Sequence, residues 1–475
     1  MKNKMISNYL YSLIYQLLIT IIPIITLPYT SRVLGDKMIG IDASVMAYVQ
    51  IFAIFCILNV ANYGSRAIAT TKTKEQTSQV FWNIYTIQFL ASVAVILCYL
   101  VFISFTKSNH IYYLIHLFTL GASLLDISWY FYGKEELKKT TARNIMVRIV
   151  TLICIFLFIK SQDDLWKYIL INSLSLFIGQ IVLWKFALKD IHFMKPQSSE
   201  LKKNFWPMIQ YFLPLIASQI YLNVNRIILN TFAGPTEVGY YSQASKIVRM
   251  VIGFITPLST VFLPRIANEF DNKNHVQIKR YMDVSASFVC LISFPIIFGL
   301  MAIGNDFIAL FLGADFSPSI PVLKILAPSI LLVGLANVFG VQLLLATNQP
   351  KKYTFSVTLG AVVSLLINYM FVGRYGSIAT SYAELAAELI GLIIQLYFAY
   401  KIIDFNSFIK NMLTYALFGL IMFLSINFLP SYFGWPRTIG LILQVLIGAC
   451  IYLSLLLITK NKLFYVLANK ILSRK

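Results

Sequence analysis

The chain has 475 residues, of which 58% are hydrophobic and only 12% are charged. A soluble globular domain carries roughly 25% charged residues, so this composition excludes a fully water-facing surface and predicts an integral membrane protein. A bilayer core takes roughly 20 apolar residues per helix. About a dozen such helices with short loops would take up most of the chain and leave no room for a soluble catalytic or nucleotide-binding domain.

The formal net charge of +20 would fit a nucleic-acid-binding protein only if the cations formed one accessible surface. They lie instead between hydrophobic runs, as the positive-inside rule describes for membrane proteins. We therefore expect no nucleic-acid partner.

The hydrophobic runs predict an all-α membrane protein with about 14 transmembrane helices, because lipid cannot satisfy the hydrogen bonds of an open backbone. The predicted spans are 10–34, 39–63, 80–105, 111–133, 144–160, 166–188, 206–233, 238–264, 284–304, 319–346, 354–372, 376–400, 410–430 and 438–459. With the N-terminus inside, 27 of the 39 cations fall in cytoplasmic segments and seven in outer loops. This bias predicts that both termini are cytoplasmic.

An internal repeat follows from two matching glycine pairs. Gly35 and Gly40, between spans 1 and 2, lie 199 residues before Gly234 and Gly239, between spans 7 and 8. The repeat predicts two pseudo-symmetric six-span halves, 1–200 and 201–404, followed by two additional spans and a basic tail in 405–475. Parallel repeats of this kind are a known plan of alternating-access transporters.

Catalytic motifs are missing from the sequence. It contains no GxxxxGK[ST], GxGxxG or HExxH pattern, the four histidines are scattered, and the five cysteines lie in apolar stretches without metal-ligand spacing. We expect neither an enzyme, nor a cofactor, nor a metal site.

Basic residues inside the spans are the strongest functional signal, since each costs roughly 2.5 to 3.5 kcal/mol at the bilayer centre. Arg226 lies in span 7, and Lys246 and Arg249 share one face of span 8. We predict that they line a water-filled cationic cavity for an anionic ligand; the alternative is structural pairing with buried acids. Arg32 and Arg66, at the ends of spans 1 and 2, either join this cavity or anchor helix ends.

Only four acids lie within the predicted spans, which is too few to neutralise all of these cations. Two of them, Glu384 and Glu388, stack on one face of span 12 because they are four residues apart. Such a pair is a candidate for coupling transport to a proton or cation. The competing interpretation is that it balances Lys324 or Arg374.

Three stretches, 28–35 (PYTSRVLG), 225–228 (NRII) and 234–247 (GPTEVGYYSQASKI), resemble the polysaccharide repeat-unit flippases of the O-antigen, capsule and teichoic-acid export type. These flippases belong to one superfamily with the multidrug and toxin extruders and the lipid II flippase. Members often have Asp before the basic residue of span 7, whereas this chain has Asn225, which leaves Arg226 less neutralised.

The resemblance implies a substrate and a location. The substrate would be an undecaprenyl-diphosphate-linked oligosaccharide, moved from the inner to the outer leaflet of a bacterial cytoplasmic membrane by alternating access. Its diphosphate would be held by the cations, and spans 13 and 14 would form a groove for its tail. Membrane lipids are further expected partners, together with the polysaccharide polymerase and glycosyltransferases of the same pathway.

Two other functions remain open. A cation-coupled drug or metabolite antiporter of the same superfamily would favour acids rather than cations in its cavity. A membrane polysaccharide polymerase or ligase would be expected to carry a larger outer loop than this chain offers.

Overall fold

A computed structural model describes residues 2–256, 258–400, 402–427, 436–461 and 463–465. Contacts divide the chain into two compact units, Met1–Gly239 and Tyr240–Lys475. The helices of the first unit are α1 Lys2–Ile57, α2 Val60–Ala69, α3 Lys74–Phe105, α4 His110–Ile115, α5 Leu117–Leu124, α6 Ser128–Gly133, α7 Leu137–Phe158, α8 Leu165–Ala187 and α9 Ser198–Ala233.

A tenth helix, α10 (Pro235–Ile255), begins in the first unit and continues into the second. The remaining helices are α11 Leu258–Asp271, α12 His275–Phe311, α13 Ser319–Leu326, α14 Ser329–Ala336, α15 Pro350–Ala399, α16 Phe405–Asn427 and α17 Arg437–Ile458. Helix α12 packs along α16, and α17 contacts both of them.

Membrane-spanning length and composition are met by ten helical segments of the described residues. Two of these, Ile21–Ala69 and Pro350–Ala399, have 49 and 50 residues, and each overlaps two predicted spans. The predicted spans 206–233 and 238–264 correspond to α9 and to α10 with α11, which are not among the ten. The fold-class prediction, an all-helical membrane protein with about 14 spans, is confirmed.

A glycine breaks the helix between the two predicted spans that lie within α1. The backbone leaves helical geometry at Gly35, where φ is 75° and ψ is 173°. Gly234, which ends α9, has nearly the same conformation, with φ 87° and ψ 171°. A positive φ of this kind is accessible mainly to glycine, so the two halves of the sequence repeat make the same backbone break at matching positions.

Two predicted spans are interrupted in the structure. The span predicted at 111–133 is divided into α4, α5 and α6, and the break before α6 is an Asx turn in which Asp126 Oδ1 accepts a 2.9 Å hydrogen bond from the Ser128 amide. The span predicted at 319–346 is divided into α13, α14 and a π-helical stretch, Asn337–Leu345. Pro328 lies at the junction of α13 and α14, where proline removes a helical hydrogen bond.

The segment between α8 and α9 is bonded to α3. The Trp82 indole nitrogen donates to the carbonyl of His192 at 3.0 Å, and the His192 amide donates to Ser78 Oγ at 3.1 Å. Gln79 Nε2 donates to the carbonyl of Lys195 at 3.2 Å. This connection therefore runs across α3 as a fixed strap.

The two compact units do not share the boundaries predicted from the repeat. Helix α9 packs on α1, α2 and α3 and is therefore counted with the first unit. The predicted divisions at 200 and 404 follow sequence similarity instead of packing, and they stay predictions.

Candidate substrate-binding site

The two glycine pairs of the repeat meet in a close backbone crossing between α1 and the start of α10. A Cβ atom added at Gly40 would lie 1.7 Å from the carbonyl oxygen of Pro235. A Cβ atom added at Gly239 would lie 2.4 Å from the carbonyl oxygen of Asp36. Both distances are far below van der Waals contact, so only glycine permits this approach.

Arg226 lies on α9 one turn before Asn230, whose side chain is hydrogen-bonded to α1. Ser44 Oγ on α1 donates to Asn230 Oδ1 at 3.1 Å, which holds the end of α9 against α1. Asn225 is buried, and the Arg226 side chain is half-buried. The structure therefore places Arg226 next to a buried amide, close along α9 to the glycine crossing.

Arg32 and Arg66 are exposed residues of the first unit. Arg32 precedes the Gly35 break in α1 by three residues, and Arg66 lies in the last turn of α2. A cation at a helix C-terminus interacts favourably with the helix dipole, which agrees with the anchoring interpretation of Arg66. A direct role in substrate binding stays a prediction for both.

In the second unit, Arg249 of α10 forms an ion pair with Glu384 of α15. The guanidinium Nη2 lies 2.6 Å from the carboxylate Oε1, and Tyr241 donates its hydroxyl hydrogen to the other carboxylate oxygen. The Glu384 side chain is 6% exposed, whereas the Arg249 side chain is 41% exposed. The buried carboxylate thus neutralises an arginine whose side chain stays partly exposed.

This pair bears on two alternatives that the sequence left open. Pairing with buried acids was the alternative to a cationic cavity, and Lys324 or Arg374 were possible counter-ions of the Glu384 and Glu388 pair. In the structure Lys324 Nζ donates to Asn305 Oδ1 at 2.9 Å, and Arg374 lies over the Tyr375 ring. Arg249 is the basic residue that Glu384 binds.

Tyr241 and Ser245 were not identified as site residues from the sequence. Arg249 Nε donates to Ser245 Oγ at 3.3 Å, and Tyr241 binds the same carboxylate as Arg249. The three residues follow one another at intervals of four, which places them on one face of α10. That spacing was the available signal, but the sequence does not indicate which helix the face contacts.

The remaining candidates are Lys246 on α10 and Glu388 on α15, both half-buried. Arg226 belongs to the first unit, whereas Lys246 and Arg249 belong to the second. Their grouping around one ligand, and ion coupling by Glu384 and Glu388, stay predictions.

Comparison with protein families identifies residues 5–270 as a polysaccharide biosynthesis protein, and this range is more than half of the chain. A putative O-antigen transporter of Escherichia coli (strain K12) is 23% identical over 395 residues, which covers 80% of this chain and 92% of that protein.

Comparison with solved structures shows the fold. The lipid II flippase MurJ in an inward closed conformation matches with a TM-score of 0.71 and 18% identity, covering 97% of this chain and all of MurJ. A MATE-family multidrug resistance transporter in an inward-facing conformation matches with a TM-score of 0.61 and 14% identity, covering 84% of this chain and 99% of that one.

These matches confirm two expectations from the sequence, namely the resemblance to polysaccharide flippases and the assignment as a transporter rather than an enzyme. They also agree with a multi-pass protein of the bacterial cytoplasmic membrane. The match over residues 5–270, together with the fold, establishes that this chain belongs to the polysaccharide biosynthesis protein family.

Proposed function

We propose that the chain is a flippase that moves undecaprenyl-diphosphate-linked oligosaccharide repeat units from the inner to the outer leaflet by alternating access. The observation that carries this proposal is the Arg249 side chain, which is 41% exposed while its guanidinium is bound by the buried carboxylate of Glu384. A transporter that binds an anionic head group needs a fixed and accessible cation of this kind.

The chemistry of the substrate matches the basic residues. A diphosphate accepts paired hydrogen bonds from the planar guanidinium group, and such charge-assisted bonds are stronger than neutral ones. Arg226, Lys246 and Arg249 would bind the diphosphate, with Arg32 and Arg66 as further contacts. The sugars would occupy water, and the polyprenyl tail would remain in lipid.

Neutralisation by Glu384 adds a step to this mechanism. With no substrate bound, the carboxylate balances Arg249 and limits the cost of a charge within the membrane region. When a diphosphate binds, Arg249 contacts two anions from opposite sides. Glu384 then has a positioning role, and Glu388, one turn along α15, is the better candidate for ion coupling.

A cation-coupled drug antiporter is the second candidate, because a MATE-family transporter has the same fold. The family match and the predominance of cations among the candidate residues favour the lipid-linked sugar. A cationic drug would need a cavity lined by acids, whereas the candidate substrate-binding residues are basic.

Deletion of the gene, with complementation by the intact chain, tests the proposal. We expect lipid-linked repeat units to accumulate on the inner leaflet of the deletion strain. Translocated but unpolymerised units would instead identify a polymerase. Unchanged polysaccharide together with increased drug sensitivity would identify a drug antiporter.

A further inference from the structure

An apolar groove lies on the first unit between α3 and α9, separate from the basic residues discussed above. Its volume is about 410 Å³, within the range of roughly 300 to 1,000 Å³ that is usual for ligand sites. The lining residues are Ile87, Leu90 and Ala91 of α3 and Leu201, Lys202 and Phe205 of α9.

The groove has a rigid base and apolar walls. Ile87 is buried in the core cluster that also contains Met208 and Phe212 of α9, so the base is fixed by the packing of the two helices. Leu90 and Phe205 form exposed walls. An unfilled gap beside such walls loses dispersion contacts, and a hydrocarbon chain would restore them.

One positive charge distinguishes this groove from an ordinary lipid-facing surface. Lys202 is an exposed lysine that lines the groove near the start of α9. The next residue, Lys203, is paired with Glu200 at 3.4 Å and does not line the groove. Lysine near a helix end can extend its ammonium group to the membrane surface while its methylene stem stays in the apolar region.

We propose that this groove binds one acyl chain of an anionic phospholipid, with the lipid phosphate beside Lys202. The chain would fill the space between Leu90 and Phe205, and the head group would lie next to the strap that joins α8 to α9. Binding there would hold the start of α9 against α3, and α9 carries Arg226 at its other end. The site does not depend on the transported substrate.

Photo-crosslinking of the full-length protein in phosphatidylcholine vesicles tests this site. The probes are phosphatidylglycerol and phosphatidylcholine with the same diazirine-bearing acyl chain, and labelled positions are mapped by peptide mass spectrometry. We expect the phosphatidylglycerol probe to label 87–91 and 201–205 about fivefold more than the phosphatidylcholine probe, because one lysine near the surface contributes about 1 kcal/mol to anionic lipid binding.

Matched variants separate charge from shape. Lys202→Gln should reduce phosphatidylglycerol labelling to the phosphatidylcholine level, whereas Lys203→Gln should leave it unchanged. Leu90→Trp should fill the groove and reduce labelling by both probes. Leu97→Trp is its control, since Leu97 is as exposed as Leu90, at 58%, and lies two turns away on α3.

Three results would overturn the proposal. Equal labelling of these positions by both head groups would show that no anionic site exists. Equal loss of phosphatidylglycerol labelling in Lys202→Gln and Lys203→Gln would show that general surface charge, and not this groove, attracts the lipid. Displacement of the label by undecaprenyl phosphate at lower concentration than by unlabelled phosphatidylglycerol would assign the groove to a polyprenyl chain.

Discussion

Arg226 on α9 and Arg249 on α10 carry the same charge but have different surroundings. Arg249 is bound by Glu384, a carboxylate 135 positions away in sequence. Arg226, on the first unit, is half-buried and follows the buried Asn225. The comparison teaches that the structural role of Arg249, an ion pair within its own unit, can be tested separately from a role in binding the substrate.

The largest effect is expected from a substitution at the close backbone crossing of α1 and the start of α10. Gly40→Ala places a methyl group 1.7 Å from the Pro235 carbonyl oxygen. Backbone atoms must separate, and we expect a loss of about 3 kcal/mol in the free energy of unfolding, at the upper end of the cost of overpacking. The measurement is the thermal denaturation of the purified protein, together with its abundance in the membrane.

Gly234→Ala is the control for backbone conformation alone. A Cβ atom at Gly234 has no neighbour within 4 Å, but φ is 87°. A strained φ of this kind costs of order 1 kcal/mol, so the variant should be clearly more stable than Gly40→Ala. Equal losses would show that the close crossing contributes nothing beyond backbone strain.

Arg249→Ala should be the next most damaging change. It leaves the Glu384 carboxylate, 6% exposed, without its guanidinium partner. We expect a loss of about 2 kcal/mol, as for a buried polar group that loses its partner. Thermal denaturation of the single variant and of the double variant Arg249→Ala with Glu384→Gln checks this, since the neutral amide should recover most of the stability.

Export should not recover in that double variant, because the cation that binds the diphosphate is still missing. Recovered export in the double variant would contradict the assignment of Arg249 to the diphosphate.

A smaller effect is expected from Asn225→Asp, which adds a carboxylate to the residue before Arg226. Adjacent side chains on a helix point apart, so the new carboxylate would act mainly through its field. A like charge near the diphosphate costs about 1 kcal/mol at an intermediate dielectric, which corresponds to about fivefold weaker binding. Export measured against substrate level should show a higher half-saturation point, and unchanged export would place the diphosphate away from residue 225.

The sequence predicts the parts of this protein that depend on local chemistry. Hydrophobic runs indicated the spans, and the glycine spacing indicated matching breaks at Gly35 and Gly234, because a positive φ is a property of the residue itself. The charges of Arg226 and Arg249 indicated which helices carry candidate site residues, because a charge within a membrane span is costly wherever the helix packs.

The parts that depend on distant contacts could not be predicted. The ion pair and the hydrogen bond of Glu384 join α15 to α10, and no sequence spacing indicates that these two helices supply the partners. The membership of α9 in the first unit likewise follows from its contacts with α1, α2 and α3. The role of Tyr241 became visible only with the carboxylate that it binds.

The most direct test of the account is the position of lipid-linked repeat units in cells that carry Arg226→Lys or Arg226→Ala. We expect Arg226→Ala to accumulate repeat units on the inner leaflet at native protein abundance. Arg226→Lys should keep partial export, since the charge remains while the paired geometry of the guanidinium is lost. Normal export by Arg226→Ala at native abundance would contradict the assignment of this arginine to the diphosphate and, with it, the anionic substrate.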